Sequence, residues 1–160
     1  MNQNIILKIA ENNQEVEDAF RVREIVLTDE LGFDIASLTD EIDEVAKNVI
    51  CYALENSSDG VQTRKPIGTL RYFVHGESIK VGRVAVLKDC RGQQIGKKMM
   101  LYVEDNVWNE AEYAKIKQIA LSSIHEKMGF YEKLGYVSIG EAYLEEEVPH
   151  IYMTKKRPQL

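Results

Sequence analysis

Residues Arg91-Gly92-Gln93-Gln94-Ile95-Gly96-Lys97-Lys98 put two glycines and three cations where an apolar, alternating run gives way to an amphipathic one. That combination suits an anion. Val81, Val84 and Val86 alternate up to Lys88-Asp89, and helical spacing begins near Gln94, so a strand-to-helix junction is expected here. The first N–H groups of a helix have no internal partner, and the helix dipole adds roughly half a positive charge there, so main chain alone can hold a phosphate. Glycine at 92 and 96 permits close approach, and Arg91, Lys97 and Lys98 add charge.

Two nucleotide-binding patterns are excluded. A P-loop needs Gly-x-x-x-x-Gly-Lys-Ser/Thr, but Arg91 occupies its first glycine position and Lys98 its hydroxyl position. A dinucleotide fingerprint needs Gly-x-Gly-x-x-Gly, which Gly92-Gln93-Gln94-Ile95-Gly96 does not supply. The stretch instead resembles motif A of the GNAT N-acetyltransferases, Arg/Gln-x-x-Gly-x-Gly/Ala, entered from a strand ending Val-x-Val and leaving through Gly-Lys-Lys and an apolar pair. Gln94 stands where that family usually has glycine. Phe130-Tyr131-Glu132-Lys133-Leu134-Gly135-Tyr136 resembles the family's Phe-Tyr-x-x-x-Gly-Phe segment near the C-terminus. The tail from Tyr143 to Met153, with Arg23 and Glu41-Ile42-Asp43-Glu44 upstream, is similar to the ElaA-type subgroup.

The resemblance covers nearly the whole chain and implies a single GNAT domain over residues 1–160. The implied fold is α+β, a mixed, mostly antiparallel sheet of six or seven strands flanked by helices. It also implies acetyl-CoA as co-substrate, no metal, and direct transfer of the acetyl group to a primary amine of a small molecule or peptide. Val84, Ala85 and Val86 would pair with the pantetheine arm. Arg91, Gly92, Gln93, Gln94, Ile95, Gly96 and Lys97 would hold the pyrophosphate, chiefly through main-chain N–H groups. Ser122 takes the place of an asparagine that contacts pantetheine in relatives, and Tyr131 that of the tyrosine that protonates the departing thiolate. An amine with a pKa near 10 also needs a base. The glutamate of many relatives is replaced by Gly82-Arg83, which leaves His150 or a chain of waters. Gln94, Ser122 and the missing glutamate keep a second reading open, a catalytically weak acyl-CoA-binding module of the same fold.

The elements that position these residues follow from periodicity. Ile5 to Ile9 reads as a strand, and Asn12-Asn13 caps a helix from Gln14 to Asp29 whose apolar stripe contains Arg23, either ion-paired or in contact with a ligand. Asp40 to Glu44 reads as a short helix or acidic turn of the kind that often carries specificity. Strands at Val49–Leu54, Ile67–Val74 and Ile79–Leu87 form an antiparallel meander. The helix from Gln94 buries Ile95, Met99, Val103 and Val107 and exposes Lys97, Lys98, Glu104 and Asp105. A strand at Ile116–Leu121 ends at Ser122-Ser123, which cap a helix from Ile124 to Leu134, and Gly135 closes it. Tyr136–Tyr143 and Val148–Met153 form a last strand pair around Glu145-Glu146-Glu147, with Pro149 limiting one edge.

Composition narrows the function classes. The chain has 160 residues, 44% of them hydrophobic, enough for a core without staples. No apolar run reaches the roughly 20 residues of a membrane span, and the opening is not that of a signal peptide, so a cytoplasmic protein that binds no membrane is expected. Cys51 and Cys90 form no CxxC pair, which suggests reduced thiols and no metal. A net charge of −6 argues against nucleic acid as partner. Residues 1–63 carry 14 acids and 4 bases, whereas residues 64–117 carry 6 and 11, so the basic stretch coincides with the anion cradle. A monomer or homodimer is expected.

Overall fold

The computed structural model describes residues 4 to 159. Seven strands and three α-helices follow in the order β1 (Ile5–Ile9), α1 (Asn13–Arg23), β2 (Lys47–Asn56), β3 (Gln62–His75), β4 (Ser78–Val86), α2 (Ile95–Asn109), β5 (Gln118–Ile124), α3 (Met128–Glu132), β6 (Val137–Glu145) and β7 (Val148–Lys156). The strands make one sheet in the order β1-β2-β3-β4-β5-β7-β6. β4 and β5 run parallel, while β1–β2, β5–β7 and β6–β7 are antiparallel. The expected mixed sheet flanked by helices is therefore present, with seven strands. No described helix is long and apolar enough to cross a membrane. By packing the chain falls into two compact units. The first runs to Arg71 and includes Arg83–Val103; the second comprises Tyr72–Gly82 and the chain from Glu104 on.

In the first unit, Asn12 caps α1 by accepting from the Glu15 N–H at 2.9 Å. Ala19 and Val22 face the core. The helix predicted to reach Asp29 changes character at Glu24, where a π-helical segment Glu24–Glu30 takes over. This wider winding is uncommon and re-aims the residues that follow it. Gly32, at φ 81°, then turns the chain away. Ile95 and Met99 of α2 lie against β3 at Gly68, where an added Cβ would fall 3.1 Å from Ile95 and 3.3 Å from the Met99 sulfur. Glycine there lets the helix approach closely.

Arg23 proves to be ion-paired. It is fully buried and donates to Asp43 at 2.8 and 3.1 Å, to the Leu38 carbonyl at 2.9 Å and to Asn48 at 2.7 Å. The acidic turn is a short 3-10 helix, Glu41–Glu44, capped by Asp40. Arg71 forks Asp40 at 2.6 and 3.0 Å and approaches Asp43 at 3.1 Å.

The second unit departs from the sequence expectations at four points. β5 does not stop at Ser122-Ser123 but runs to Ile124, because both serines are paired with β7, at Tyr152 and Ile151. The helix expected over 124–134 is a 3-10 turn, His125–Lys127, leading into the five-residue α3, since Gly129 weakens any longer helix. Gly135 does close it, at φ 97°. Glu104 is buried rather than exposed, because Lys155 bonds it at 2.6 Å and the Tyr136 hydroxyl donates to it at 3.3 Å. Finally, β7 is an interior strand, and Pro149 is tolerated there because it lies one residue beyond the last β5 partner, His150.

The Asp43 carboxyl is pushed up by burial, but the Arg23 bond and charge outweigh this and hold it below the ordinary carboxylate range. Asp40 is lowered chiefly by its bond to Arg71. Both folded-state pKa values lie below the unfolded one, so their contribution is complete above about pH 4 and is lost as pH falls through the folded values. Asp43→Asn is expected to cost about 3 to 5 kcal/mol at neutral pH and to flatten the loss of stability below about pH 4; urea midpoints between acid and neutral pH check both.

Candidate active site

In the first unit, the turn after β4 prepares an anion cradle. A 3-10 turn, Lys88–Cys90, precedes Arg91, and Gly92 and Gln94 both take positive φ, 86° and 62°. Such alternation aims successive N–H groups into one concavity. The first intrahelical bond of α2 runs from the Lys98 N–H to the Gln94 carbonyl at 2.9 Å. The N–H groups of Gln94, Ile95, Gly96 and Lys97 have no acceptor among the described residues. The Gln94 side chain is exposed and Ile95 is buried. The left-handed backbone of Gln94 explains why glycine is usual there. A non-glycine residue in that region costs about 1–2 kcal/mol.

Ala85 is buried against Val22 and Val26, while Val84 and Val86 are half-buried. The β4–β5 ladder ends at Val81↔Leu121, and residues 84–86 lie beyond it. Arg91 is less available than its sequence position suggests. Its guanidinium forks Glu30 through two bonds of 2.6 Å, and its Nε donates to the Val86 carbonyl at 3.1 Å. The π-helical segment is what brings Glu30 there. Sequence gave no sign of this pair, since 61 positions separate the two residues. Lys97 is exposed and Lys98 half-buried. Burial pushes the Cys51 thiol up to about 11, which leaves it protonated at neutral pH and unfit as a nucleophile.

In the second unit, Tyr131 sits on α3, buried, with the rings of Phe130 and Tyr136 edge-on at 4.9 and 6.1 Å. Burial raises its hydroxyl above the ordinary tyrosine value, so it keeps its proton throughout the neutral range. No hydrogen bond to another described residue occupies that hydroxyl. The β6–β7 hairpin turns through Glu146 and Glu147, both at positive φ, 52° and 64°, as a two-residue I′ connection requires. That register sets Tyr143 opposite His150 and Glu145 opposite Val148, while Ser122 opposes Tyr152. Ser122, Tyr143, Glu145 and His150 therefore share one face. Ser122 shares a short hydrogen bond with the Tyr143 hydroxyl, and its Oγ lies 3.4 Å from Glu145 Oε2. His150 Nε2 lies 3.3 Å from the same oxygen, and Nδ1 lies 2.8 Å from the Val148 carbonyl. A carbonyl only accepts, so Nδ1 is the nitrogen that donates, and Nε2 is the one that faces Glu145. Sequence placed Glu145 in a turn and missed it; only the hairpin register puts it beside His150.

Residues 47–138 match the family model for the acetyltransferase (GNAT) domain. The chain belongs to the GNAT family. A Bacillus subtilis protein, the uncharacterized N-acetyltransferase YjcF, is 28% identical over 148 residues, spanning 92% of this chain and 96% of that protein. Escherichia coli ElaA is 28% identical over 83 residues, half of each chain; its crystal structure superposes with a TM-score of 0.72 at 19% identity, over 95% of this chain and 99% of that one. An aminoglycoside 6′-N-acetyltransferase complexed with coenzyme A shares the fold, with a TM-score of 0.64 at 17% identity over 97% and 98% of the two chains. Gln94 at the turn before α2 and Arg83 on β4 are the described non-glycine residues of the first unit with positive φ. Replacing Gln94 by glycine removes about 1–2 kcal/mol of backbone strain and adds about 0.4–1 kcal/mol of unfolded-chain entropy. Gln94→Gly is thus expected to leave stability unchanged or raise it by up to about 1.5 kcal/mol, read as a denaturant midpoint; a clear loss would show that the glutamine side chain is held in place.

Proposed function

We propose that this GNAT protein transfers an acetyl group from acetyl-CoA to a primary amine of a small molecule or peptide, by direct attack of the amine on the thioester. The observation that carries this reading is the run of unpaired N–H groups from Gln94 to Lys97 at the positive end of α2, a match for a diphosphate that needs no side-chain charge. The coenzyme supplies an activated acyl group. Val84 to Val86, beyond the end of the β4–β5 ladder, offer main chain to the amides of an extended pantetheine, as a sheet edge does to an added strand.

The chemistry forms one C–N bond and breaks one C–S bond. The amine must lose a proton and the sulfur must gain one. Tyr131, which carries its proton at neutral pH as tyrosines do and whose hydroxyl is bonded to no other described residue, is the donor to the departing thiolate. On the other side of the proton balance stands the Glu145–His150 pair. Glu145 is the more exposed partner, at 53% against 7% for the histidine side chain, so the carboxylate takes the amine proton and His150 holds it in place. Ser122 and Tyr143 steady the same oxygen and its neighbourhood. The Glu30–Arg91 fork supports the second reading, a weakly catalytic acyl-CoA-binding module, because a diphosphate reaching Arg91 must compete with a carboxylate already in place.

Acetyl-CoA with a panel of primary amines, followed by thiol release, tests the main reading; no release with any amine and no thermal stabilisation by coenzyme A would remove it. Tyr131→Phe is expected to lower kcat by about 100-fold or more while KM for acetyl-CoA stays within about two-fold. No alkaline loss of wild-type rate from this group is expected below about pH 10. Glu30→Gln frees Arg91 for phosphate and is expected to tighten coenzyme A binding several-fold at low salt, a gain that shrinks as ionic strength rises; calorimetry at two salt concentrations reads it.

A further inference from the structure

Three guanidinium groups and two carboxylates meet where β4 turns toward the cradle. Arg23 and Arg71 are taken up by Asp43 and Asp40. Arg83 is held only at the margin, donating to the Leu38 carbonyl at 3.3 Å, the Ser37 carbonyl at 3.0 Å and Asp40 at 3.4 Å. The cluster is therefore one positive charge in excess, and Glu41 and Glu44, although next in sequence to Asp40 and Asp43, pair with none of these arginines among the described residues. Arginine does not relieve the excess by losing its proton. Burial and repulsion from Arg71 and Arg23 lower the Arg83 pKa, which is the signature of a cation short of partners.

The excess charge emerges at one place. The Arg23 and Arg71 side chains are 0% and 5% exposed, whereas Arg83 is 28% exposed, and its Nη1 has no partner among the described residues. Its backbone is left-handed, at φ 54° within β4, a strained conformation for arginine of the kind that persists at functional positions. Arg83 directly precedes Val84, the start of the segment assigned above to the thioester arm. A partly desolvated guanidinium whose Nη1 is unclaimed can donate a charge-assisted hydrogen bond to a carboxylate oxygen.

We infer that Arg83, backed by the Arg23–Arg71–Asp40–Asp43 cluster, binds the carboxylate of the acceptor, so that the preferred acceptor is an amine bearing a carboxylate, such as an amino acid or a short peptide with a free C-terminus. This rests on the acyl-transfer reading given above.

The test pairs amino acids with their C-terminal amides as acceptors of acetyl-CoA, and measures binding of the N-acetylated amino acid against its N-acetylated amide by calorimetry in the presence of coenzyme A. Free acids are expected to exceed their amides at least ten-fold in kcat/KM, and the N-acetylated acid to bind at least ten-fold more tightly. In Arg83→Gln both ratios should collapse toward one, chiefly through KM, while Arg83→Lys retains part of the preference; a thermal melt of each variant confirms that it folds. Equal use of acids and amides, or equal or absent binding of the two products, overturns the inference and leaves the acyl-transfer reading standing. Failure of that reading shows itself differently, as no thiol release with any amine and no stabilisation by coenzyme A.

Discussion

The arginine–aspartate cluster is the constraint on which the first unit depends. Arg23 from α1, Asp40 and Asp43 from the connecting turn, Asn48 from β2, Arg71 from β3 and Arg83 from β4 are drawn into one set of hydrogen bonds. Burying charge is costly unless every group is matched, and attraction between matched ions in a poorly solvated place is correspondingly strong. The arrangement is therefore all-or-none. It ties a loop with few apolar residues of its own to three strands and a helix, and it decides where β4 enters the turn that follows.

That turn is governed by a different economy, one of hydrogen bonds left unmade. A helix that starts in a tight, partly left-handed turn exposes donors that its own carbonyls cannot reach. In most helices a side chain caps them. Here the residues before Ile95 are glycine and glutamine with positive φ, so the donors stay open and share a concavity. Glu30 meets the Arg91 guanidinium, so that under the proposed function the main chain, rather than Arg91, is the resident attraction for an anion.

In the second unit the organising device is the β6–β7 hairpin. Its two-residue turn sets the register, and register alone decides which side chains of two strands face each other. One residue of slip would send Glu145 and Tyr143 to the opposite face and separate them from His150 and Ser122. Tyr131 is placed by a separate device, a very short helix closed by Gly135 and packed between two aromatic rings.

By itself the sequence determined the order of the elements, the strand-to-helix junction at Val84–Lys98 and the motif pair that marks the GNAT family, because these rest on local periodicity and on glycine at turns. It also showed Gln94 as a departure, though not the left-handed backbone that gives the departure its meaning. The buried state of Glu104, the continuation of β5 through two serines, the Glu30–Arg91 fork and the meeting of Glu145 with His150 were decided only by tertiary structure. In each case the partner lies on another element, and a polar side chain is indifferent to burial until that partner arrives to replace water. Periodicity records which face of an element is apolar; it carries no record of which charges will be matched across elements, and in this protein that matching builds the candidate site.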